Sequence, residues 1–498
     1  MSTRSYQDAV DHLNSLQSNA ATLEAVRASG GRLSDFAIPE MLEFLERIGY
    51  TPQQLNALNV IHIAGTKGKG STSAFTDSIL RSAMPGWKIG LYTSPHLVAV
   101  RERIRINGAP LPEDEFAKYF FEIWDKLIVN NTRKIPTTPD MPGYFRFVTL
   151  MAFHVFLDKK VDATILEVGV GGTYDSTNVV PNPVVTGITT LGIDHIFVLG
   201  KTIQDIAWQK SGIFKGNVPA FTSTQPEEAM PVLKARAIEL KAKHLTIVST
   251  SPELCGLKLG LAGVHQVQNA ALAVRLAKSF LQLRTESSFD ESALPESFKH
   301  GLATTKWPGR CQTIVDPTRT GVTWYLDGAH TVESLECCMQ WFISPGVGLV
   351  SLPVVEEKHS LRVLIFNCTS GRSGEAFLAE IVSHFPPGSD SVFFDHVIFC
   401  TNVTYANGNF KGDLTTKALP TADLAELRTQ QALSSAWSSL LPDFDPSHIY
   451  VLPSIEHAIQ EVEKISTASP KPVQVLVTGS LHLIGGVIEV TGLLEFAL

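Results

Sequence analysis

Residues 59–80 read NVIHIAGTKGKGSTSAFTDSIL, and no other stretch so narrows what this chain can fold into. The apolar run Val60–Ala64 predicts a buried strand, a turn with Gly65, Gly68 and Gly70 follows, and Ser71–Ser82 has helical spacing. A strand feeding a helix through a glycine-rich turn opens a βαβ unit, which commits its domain to a mostly parallel sheet covered by helices. The same order suits phosphate. Glycines let backbone N–H groups converge on phosphate oxygens, the helix N-terminus adds a favourable dipole, and Lys69 supplies a positive charge. Gly68, Lys69, Gly70 and Ser71 are therefore the candidate nucleotide-phosphate residues. The match to GxxxxGK(S/T) is not literal. Ile63 stands where the first glycine belongs, and Gly70 separates Lys69 from the Ser71 hydroxyl. A flexible strand-to-helix turn is the plain alternative, and Lys67 reads as uncertain or simply solvated.

The alternation continues with strand candidates at Lys88–Tyr92, Ala163–Val168, Val184–Thr190 and Val218–Thr222, and helical patterns such as Tyr144–Leu157 between them. His265–Leu283 predicts an amphipathic helix, and the polar stretch Thr285–His300 follows. After Trp307-Pro308-Gly309-Arg310 the pattern restarts, with strands at Thr323–Leu326, Val363–Asn367, His396–Thr401 and Val473–Thr478. Loops are expected at 344–360 and 403–425. With 498 residues, and domains averaging on the order of 150, more than one domain is expected. The division proposed is 1–305 and 306–498, both α/β.

Composition removes several classes. Lys+Arg is 41 against 49 Asp+Glu, a formal charge of −8, which weighs against wrapping nucleic acid. With 44% hydrophobic and 18% charged residues the chain is not a disordered one. Its six cysteines are scattered with no CxxC, which speaks against a disulfide framework or a zinc knuckle. MSTRSYQDAVDHLNSL lacks the apolar core of a secretory signal, and Asp8, Asp11 and Glu24 argue against a mitochondrial presequence. The most apolar segment, VQVLVTGSLHLIGGVIEV, is broken by Gly479 and Gly485-Gly486 and reads as a buried strand, a turn and another element rather than a membrane span. The expected location is cytoplasmic, with a mitochondrial pool left open.

Other strand ends carry polar groups. YTSPH places Ser94 after the second strand, ILEVGVGGTYDSTN places Glu167 at the end of the third, and GIDH places His195 after the fourth. Ligands of open parallel sheets bind at the C-terminal ends of strands, so these groups are expected to converge near the phosphate turn. A hydroxyl and a carboxylate suit Mg²⁺, whereas an imidazole is an unusual partner for it. Taken singly, each residue reads as a strand-end cap. In TIQDIAWQKSGIFK, Ile203, Ile206, Ala207, Lys210 and Ile213 share one helical face, so Lys210 must snorkel, pair with an acid or lose its charge. In the second unit Arg310 fits phosphate, and Asp327 in WYLDGAH fits a ribose or a cation. An ion pair and a turn aspartate are their structural alternatives. Cys337-Cys338 reads as packing in an apolar helix.

These segments together resemble the folylpolyglutamate synthase family of the Mur-ligase superfamily. The resemblance rests on HIAGTKGKGST, YTSPHLVAVRERIRING, EVGVGGTYDSTN, GIDH, AWQKSGIFK, HQVQNA, WPGR, LDGAHT, LIFNCTSGR and VTGSLHLIGG, in order across residues 62–498. It implies an N-terminal P-loop ATPase domain and a C-terminal Rossmann-like domain, with ATP and Mg²⁺ bound between them and a monovalent cation such as K⁺ required. Carried over by position, Gly68, Lys69, Gly70 and Ser71 hold ATP phosphates, Arg310 and Asp327 bind ATP from the second domain, and Ser94, Glu167 and His195 hold the metal. Lys69, His195 and Lys210 are the implied catalytic residues, Lys210 as a carbamylated lysine. Gln209 stands where relatives often have Glu, and Cys368 where they often have Ala.

The implied reaction adds L-glutamate to the γ-carboxyl of a reduced folate through an acyl phosphate, in a protein expected to be a monomer. Dihydrofolate synthase, or a bifunctional form, is the nearest alternative. A Mur-type cell-wall ligase fits less well, and a nucleotide-dependent switch without catalysis is the alternative from another class. Arg101, Arg103 and Arg105 are candidates for binding the anionic substrates, or one solvated strand face. Tyr144-Phe145-Arg146-Phe147 offers either a pterin surface or core packing.

Overall fold

The computed structural model describes residues 4–17, 36–285, 287–290, 293–343, 360–368, 373–385, 393–409, 413 and 426–496. The loops expected at 344–360 and 403–425 fall largely outside these residues, as does LIFNCTSGR from residue 369 onward. The chain divides into two compact units. The first comprises Met1–His96, Val100–Leu257 and Gln266–Thr305; the second comprises Leu97–Ala99, Lys258–His265 and Lys306–Leu498.

The first unit is built on an eight-stranded sheet. Its strands are β1 (Val60–Ala64), β2 (Ile89–Tyr92), β3 (Ile104–Ile106), β4 (Ala109–Pro110), β5 (Ala163–Glu167), β6 (Val185–Ile188), β7 (Pro219–Ser223) and β8 (His244–Val248). Their order is β4-β3-β2-β5-β1-β6-β7-β8. All neighbours are parallel except the short β2-β3-β4 meander at one edge. β1 lies between β5 and β6, with Ile63 level with Glu167 and Ala64 level with Ile188. The C-terminal ends of β1, β2, β5 and β6 therefore share one rim, which puts the segments after Ala64, Tyr92, Glu167 and Ile188 side by side. Every residue of β1, β5 and β7 is buried, as the unbroken apolar runs require.

Helices cover both faces. Helix Tyr144–Lys159 buries ten consecutive residues, Phe147 to Phe156, so it is core on all sides. Its Phe147, Phe153 and Phe156 join Phe116 and Phe120 of helix Glu113–Val129 in the largest core cluster, with none of the five exposed. Each such ring contributes about 1.5–3 kcal/mol through burial. Helix Glu296–Thr304 packs on helix Lys69–Ala83 so closely that a Cβ at Gly301 would lie 2.7 Å from the Ile79 Cα. The Ser78 hydroxyl donates to the Gly301 carbonyl at 2.7 Å.

The second unit has six strands: β9 (Gln312–Val315), β10 (Val322–Leu326), β11 (Leu361–Phe366), β12 (His396–Cys400), β13 (Ile449–Leu452) and β14 (Val473–Thr478). Their order is β13-β12-β11-β14-β10-β9, parallel apart from β9. The apolar segment around 473–490 resolves into β14 and helix Leu481–Thr491. Among the described residues no helix is long and apolar enough to cross a membrane.

β3, β4, β8, β9 and β13 were not among the strands expected from the sequence. β3 and β4 are only three and two residues long, and β8, β9 and β13 lie at sheet edges and are partly exposed, so none has the long continuous apolar run that marks a central strand.

Candidate active site

The phosphate turn is held by the segment that follows β6. The Thr66 and Lys67 N–H groups both donate to the Thr190 carbonyl at 3.0 Å, just past β6. Thr66 Oγ1 donates to the Gly192 carbonyl and accepts the Gly192 N–H, each at 3.1 Å. Gly68 begins helix Lys69–Ala83 at φ +83°, a left-handed conformation that glycine adopts without strain. A Cβ there would also lie 2.1 Å from Asn269 Oδ1. With glycine in the capping position, no side chain competes for the first-turn N–H groups, which leaves them for an anion.

Two lysines meet at this turn. Lys69 Nζ donates to the Gly65 carbonyl at 3.1 Å, and Lys210 Nζ donates to the same oxygen at 2.7 Å. Lys210 is 3% exposed, so the snorkelling alternative is overturned: its helix, Ile203–Ser211, faces it into the protein. Ile213, grouped with that face in the sequence, lies beyond the helix end. Burial lowers the Lys210 pKa well below the usual lysine range, and the Lys69 charge lowers it further, against the pull of Asp194 and Asp175. The shift favours the unprotonated amine, which is the form that reacts with CO₂.

Glu167 ends β5, buried, and its Oε2 accepts the Ser94 N–H at 3.1 Å. The structure thus brings Ser94 and Glu167 together. His195 is placed differently. It precedes the four-residue helix Ile196–Leu199 at φ +50°, its side chain is half exposed, and its ring Nε2 lies 3.9 Å from Asp194 Oδ2. Among the described residues no cluster of three His, Cys, Asp or Glu side chains is assembled for a metal. In donor chemistry a carboxylate and a serine hydroxyl suit Mg²⁺, which takes one or two protein oxygens and fills its shell with water and phosphate.

Gln266 and Asn269 had been given no role. Gln266 Nε2 donates to the Ser71 hydroxyl at 3.3 Å, and Asn269 Nδ2 donates to Gln266 Oε1 at 2.9 Å. The first turn of helix His265–Thr285 therefore braces both Gly68 and Ser71. The one signal for this was HQVQNA at the start of an amphipathic pattern.

The arginines do not form one strand face. Arg101 and Arg103 lie in the 3₁₀ turn Val100–Arg103, and Arg105 in β3 is buried beside Glu102 at 3.7 Å. Arg103 Nε donates to His96 Nδ1 at 3.0 Å, and its guanidinium lies 5.3 Å from the Tyr144 ring centre. Phe147 is core, whereas Tyr144 and Phe145 are partly buried.

In the second unit Asp327 Oδ2 accepts the Cys311 N–H at 2.7 Å and Oδ1 accepts the Ala329 N–H at 3.0 Å, the turn role weighed for it. Arg310 Nη1 donates to the Gly309 carbonyl at 3.0 Å. Among the described residues no carboxylate pairs with Arg310. Cys338 is buried, and burial raises its thiol pKa well above the ordinary value, so it packs rather than reacts.

A glycine-rich turn at the rim of a parallel sheet, two lysines on one carbonyl and a buried carboxylate at the next strand end define a P-loop nucleotide-dependent enzyme with a Mur-ligase-like two-unit α/β fold. No family model matches the chain. It is 45% identical over 509 residues to the folylpolyglutamate synthase of Candida albicans, covering 98% of this chain and 96% of that one. The chain belongs to the folylpolyglutamate synthase family, whose members are ADP-forming acid–amino-acid ligases. Among solved structures it resembles the Mycobacterium tuberculosis folylpolyglutamate synthase complexed with ADP, with a TM-score of 0.69 at 23% identity over 95% of this chain and 98% of that one. It also resembles an FPGS–AMPPCP–folate complex, with a TM-score of 0.66 at 22% identity over 97% and 99% of the two chains. At such identities these two show the shared fold.

Proposed function

We propose that this chain adds L-glutamate to the γ-carboxyl of reduced folates that already carry glutamate, with ATP as the energy source. The observation that carries the reading is the near-full-length identity to a folylpolyglutamate synthase, joined to a phosphate turn whose Lys69 stands at a helix N-terminus. The γ-carboxylate oxygen of the folate attacks the γ-phosphorus of ATP, the bond to the β-phosphate oxygen breaks, and ADP leaves. The glutamate amine then attacks the acyl carbon, phosphate departs with the C–O bond electrons, and the nitrogen loses a proton. Activation is required because a carboxylate is a poor electrophile.

The turn's N–H groups, Gly68, Gly70 and Ser71 orient the phosphates, and Lys69 offsets the charge that spreads over the transferring group. Mg²⁺, when bound through Glu167 and Ser94 with His195 as a third group, supplies further charge neutralisation at the phosphates. Lys210 is assigned a carbamate: burial lowers the pKa of its amine, which supports that chemistry, and the modification would place an anion beside Lys69, where two lysine amines otherwise meet at one carbonyl. Arg310 and Asp327 are assigned to the nucleotide, and K⁺ as a further cation, on the family resemblance. The free carboxylates of folate and glutamate need positive partners, for which Arg101 and Arg103, both half-buried, are the candidates, since Arg105 is buried beside Glu102. The protein is proposed to act as a monomer in the cytoplasm, with a mitochondrial pool left open.

The test is mass spectrometry of the enzyme with ATP, glutamate and either tetrahydrofolate or dihydropteroate. Successive glutamate additions to tetrahydrofolate are expected. A single addition to dihydropteroate alone would identify a dihydrofolate synthase, and ATP turnover independent of acceptor would identify a switch.

A further inference from the structure

Behind Glu167 lies a buried line of polar side chains that the chemistry above does not use. Asp175, in the loop after β5, is buried and accepts four hydrogen bonds. Its Oδ2 takes the Gly169 and Val170 N–H groups, both at 3.1 Å. Its Oδ1 takes the Thr177 N–H at 2.9 Å and the Thr177 hydroxyl at 2.6 Å. Thr177 Oγ1 also lies 2.8 Å from Nε2 of His62, which is fully buried in β1 two residues before that strand ends. A hydroxyl that donates to Asp175 accepts from the ring, so His62 holds its proton on Nε2. Burial, with the Lys215 charge adding, lowers the His62 pKa to about 3, so the ring stays neutral.

Only part of this is needed to start the short turn Ser176–Val179, which Asp175 caps through the Thr177 N–H. The two bonds from Oδ2 are surplus to that cap. They grip Gly169 and Val170, the second and third residues past Glu167. On the intervening residue, the Val168 N–H donates to the Ile63 carbonyl at 2.9 Å. The backbone leaving Glu167 is thus pinned from β1 and from Asp175, while its carboxylate accepts the Ser94 N–H. The line joins the strand that carries the phosphate turn to the segment that aims the carboxylate.

We propose that Asp175 is a positioning residue for the ligation: through Gly169 and Val170, and backed by Thr177 and His62, it fixes the direction of the Glu167 carboxylate relative to the phosphate turn. The proposal rests on the reading of Glu167 as a metal-binding carboxylate. Partners that orient a metal ligand without touching the metal typically account for about 10–100-fold in metal affinity.

The test uses the full-length enzyme and three readouts: the Mg²⁺ concentration for half-maximal turnover, calorimetric binding of a non-hydrolysable ATP analogue with and without Mg²⁺, and the melting temperature. Asp175→Asn turns an NH₂ toward groups that are themselves donors. It should raise the Mg²⁺ half-saturation by about 10-fold or more. It should remove most of the Mg²⁺-dependent gain in analogue affinity and leave Mg²⁺-free binding within a factor of about two. Thr177→Val should act in the same direction with smaller amplitude, and Thr177→Ser, which keeps the hydroxyl, should behave as wild type. A folded Asp175→Asn enzyme with an unchanged Mg²⁺ dependence overturns the proposal. If that variant does not fold, an unchanged Mg²⁺ dependence in Thr177→Val overturns it instead. Glu167→Gln is the control: if it leaves the Mg²⁺ dependence unchanged, the metal reading fails on its own account and the positioning role falls with it. A shift in Glu167→Gln without one in Asp175→Asn refutes the positioning role alone.

Discussion

Gly68→Ala tests the phosphate turn at its tightest point. Two independent terms oppose the added methyl. The backbone at φ +83° is left-handed, which costs a residue other than glycine roughly 1–2 kcal/mol. The new Cβ would also lie 2.1 Å from Asn269 Oδ1, so Asn269 must move. That movement strains its 2.9 Å bond to Gln266, and a buried amide left without its partner costs about 1–3 kcal/mol. The sum is roughly 2–5 kcal/mol. For a unfolding unit of about 300 residues, an entropy near 2.1 cal/mol/K per residue gives about 0.6 kcal/mol per degree, so the melting temperature should fall by about 3–8 °C. Because Gln266 also holds the Ser71 hydroxyl, binding of an ATP analogue should weaken in the same variant. Calorimetry and titration read both effects. The steric share is separable: in an Asn269→Ala background the same substitution should cost less, since the obstructing oxygen is gone, while the backbone share stays. Wild-type melting and analogue binding in Gly68→Ala, or an equal cost in both backgrounds, would refute the reasoning.

Lys69→Ala should fold and lose about 10²–10³-fold in kcat, the scale for removing one positioned group that stabilises transition-state charge; near-normal turnover would sink the phosphate-turn assignment. Lys210→Ala should lose most activity, with partial recovery on adding a small carboxylate such as formate, and intact-mass analysis at high bicarbonate should show the carbamate on the wild type alone. Lys215 reports on stability rather than turnover. Burial lowers its pKa from 10.5 to about 8, so between these values the unfolded chain binds more protons than the native one. Stability should therefore rise with pH across that window. Lys215→Met should flatten the rise in urea unfolding free energy between pH 8 and 10.5, and identical slopes in the two proteins would count against the buried amine.

Much of the architecture is legible in residue order because the central strands are buried on both faces and so read as unbroken apolar runs. β1 and β14 occupy the predicted residues, and β2, β5, β6, β7, β10, β11 and β12 differ only at their ends. The phosphate turn is equally local: strand, glycines and helix are consecutive, so their chemistry survives without knowledge of the rest of the fold. What neighbours bring from far along the chain is not legible. Lys210 could snorkel or be buried until the packing of its helix put its amine on the Gly65 carbonyl, 145 residues away in sequence. Ser94 and Glu167 were expected together from a rule about parallel strands, but that the Ser94 N–H holds the carboxylate is a matter of register between β2 and β5. The brace from Gln266 and Asn269, and the line from His62 through Thr177 to Asp175, likewise depend on which strands and helices become neighbours. Sequence by itself determined the local units, because hydrophobic period and turn chemistry act over a few residues. Only the tertiary structure decided which polar groups are desolvated together, and so which lysine has its pKa lowered and which carboxylate is held in place.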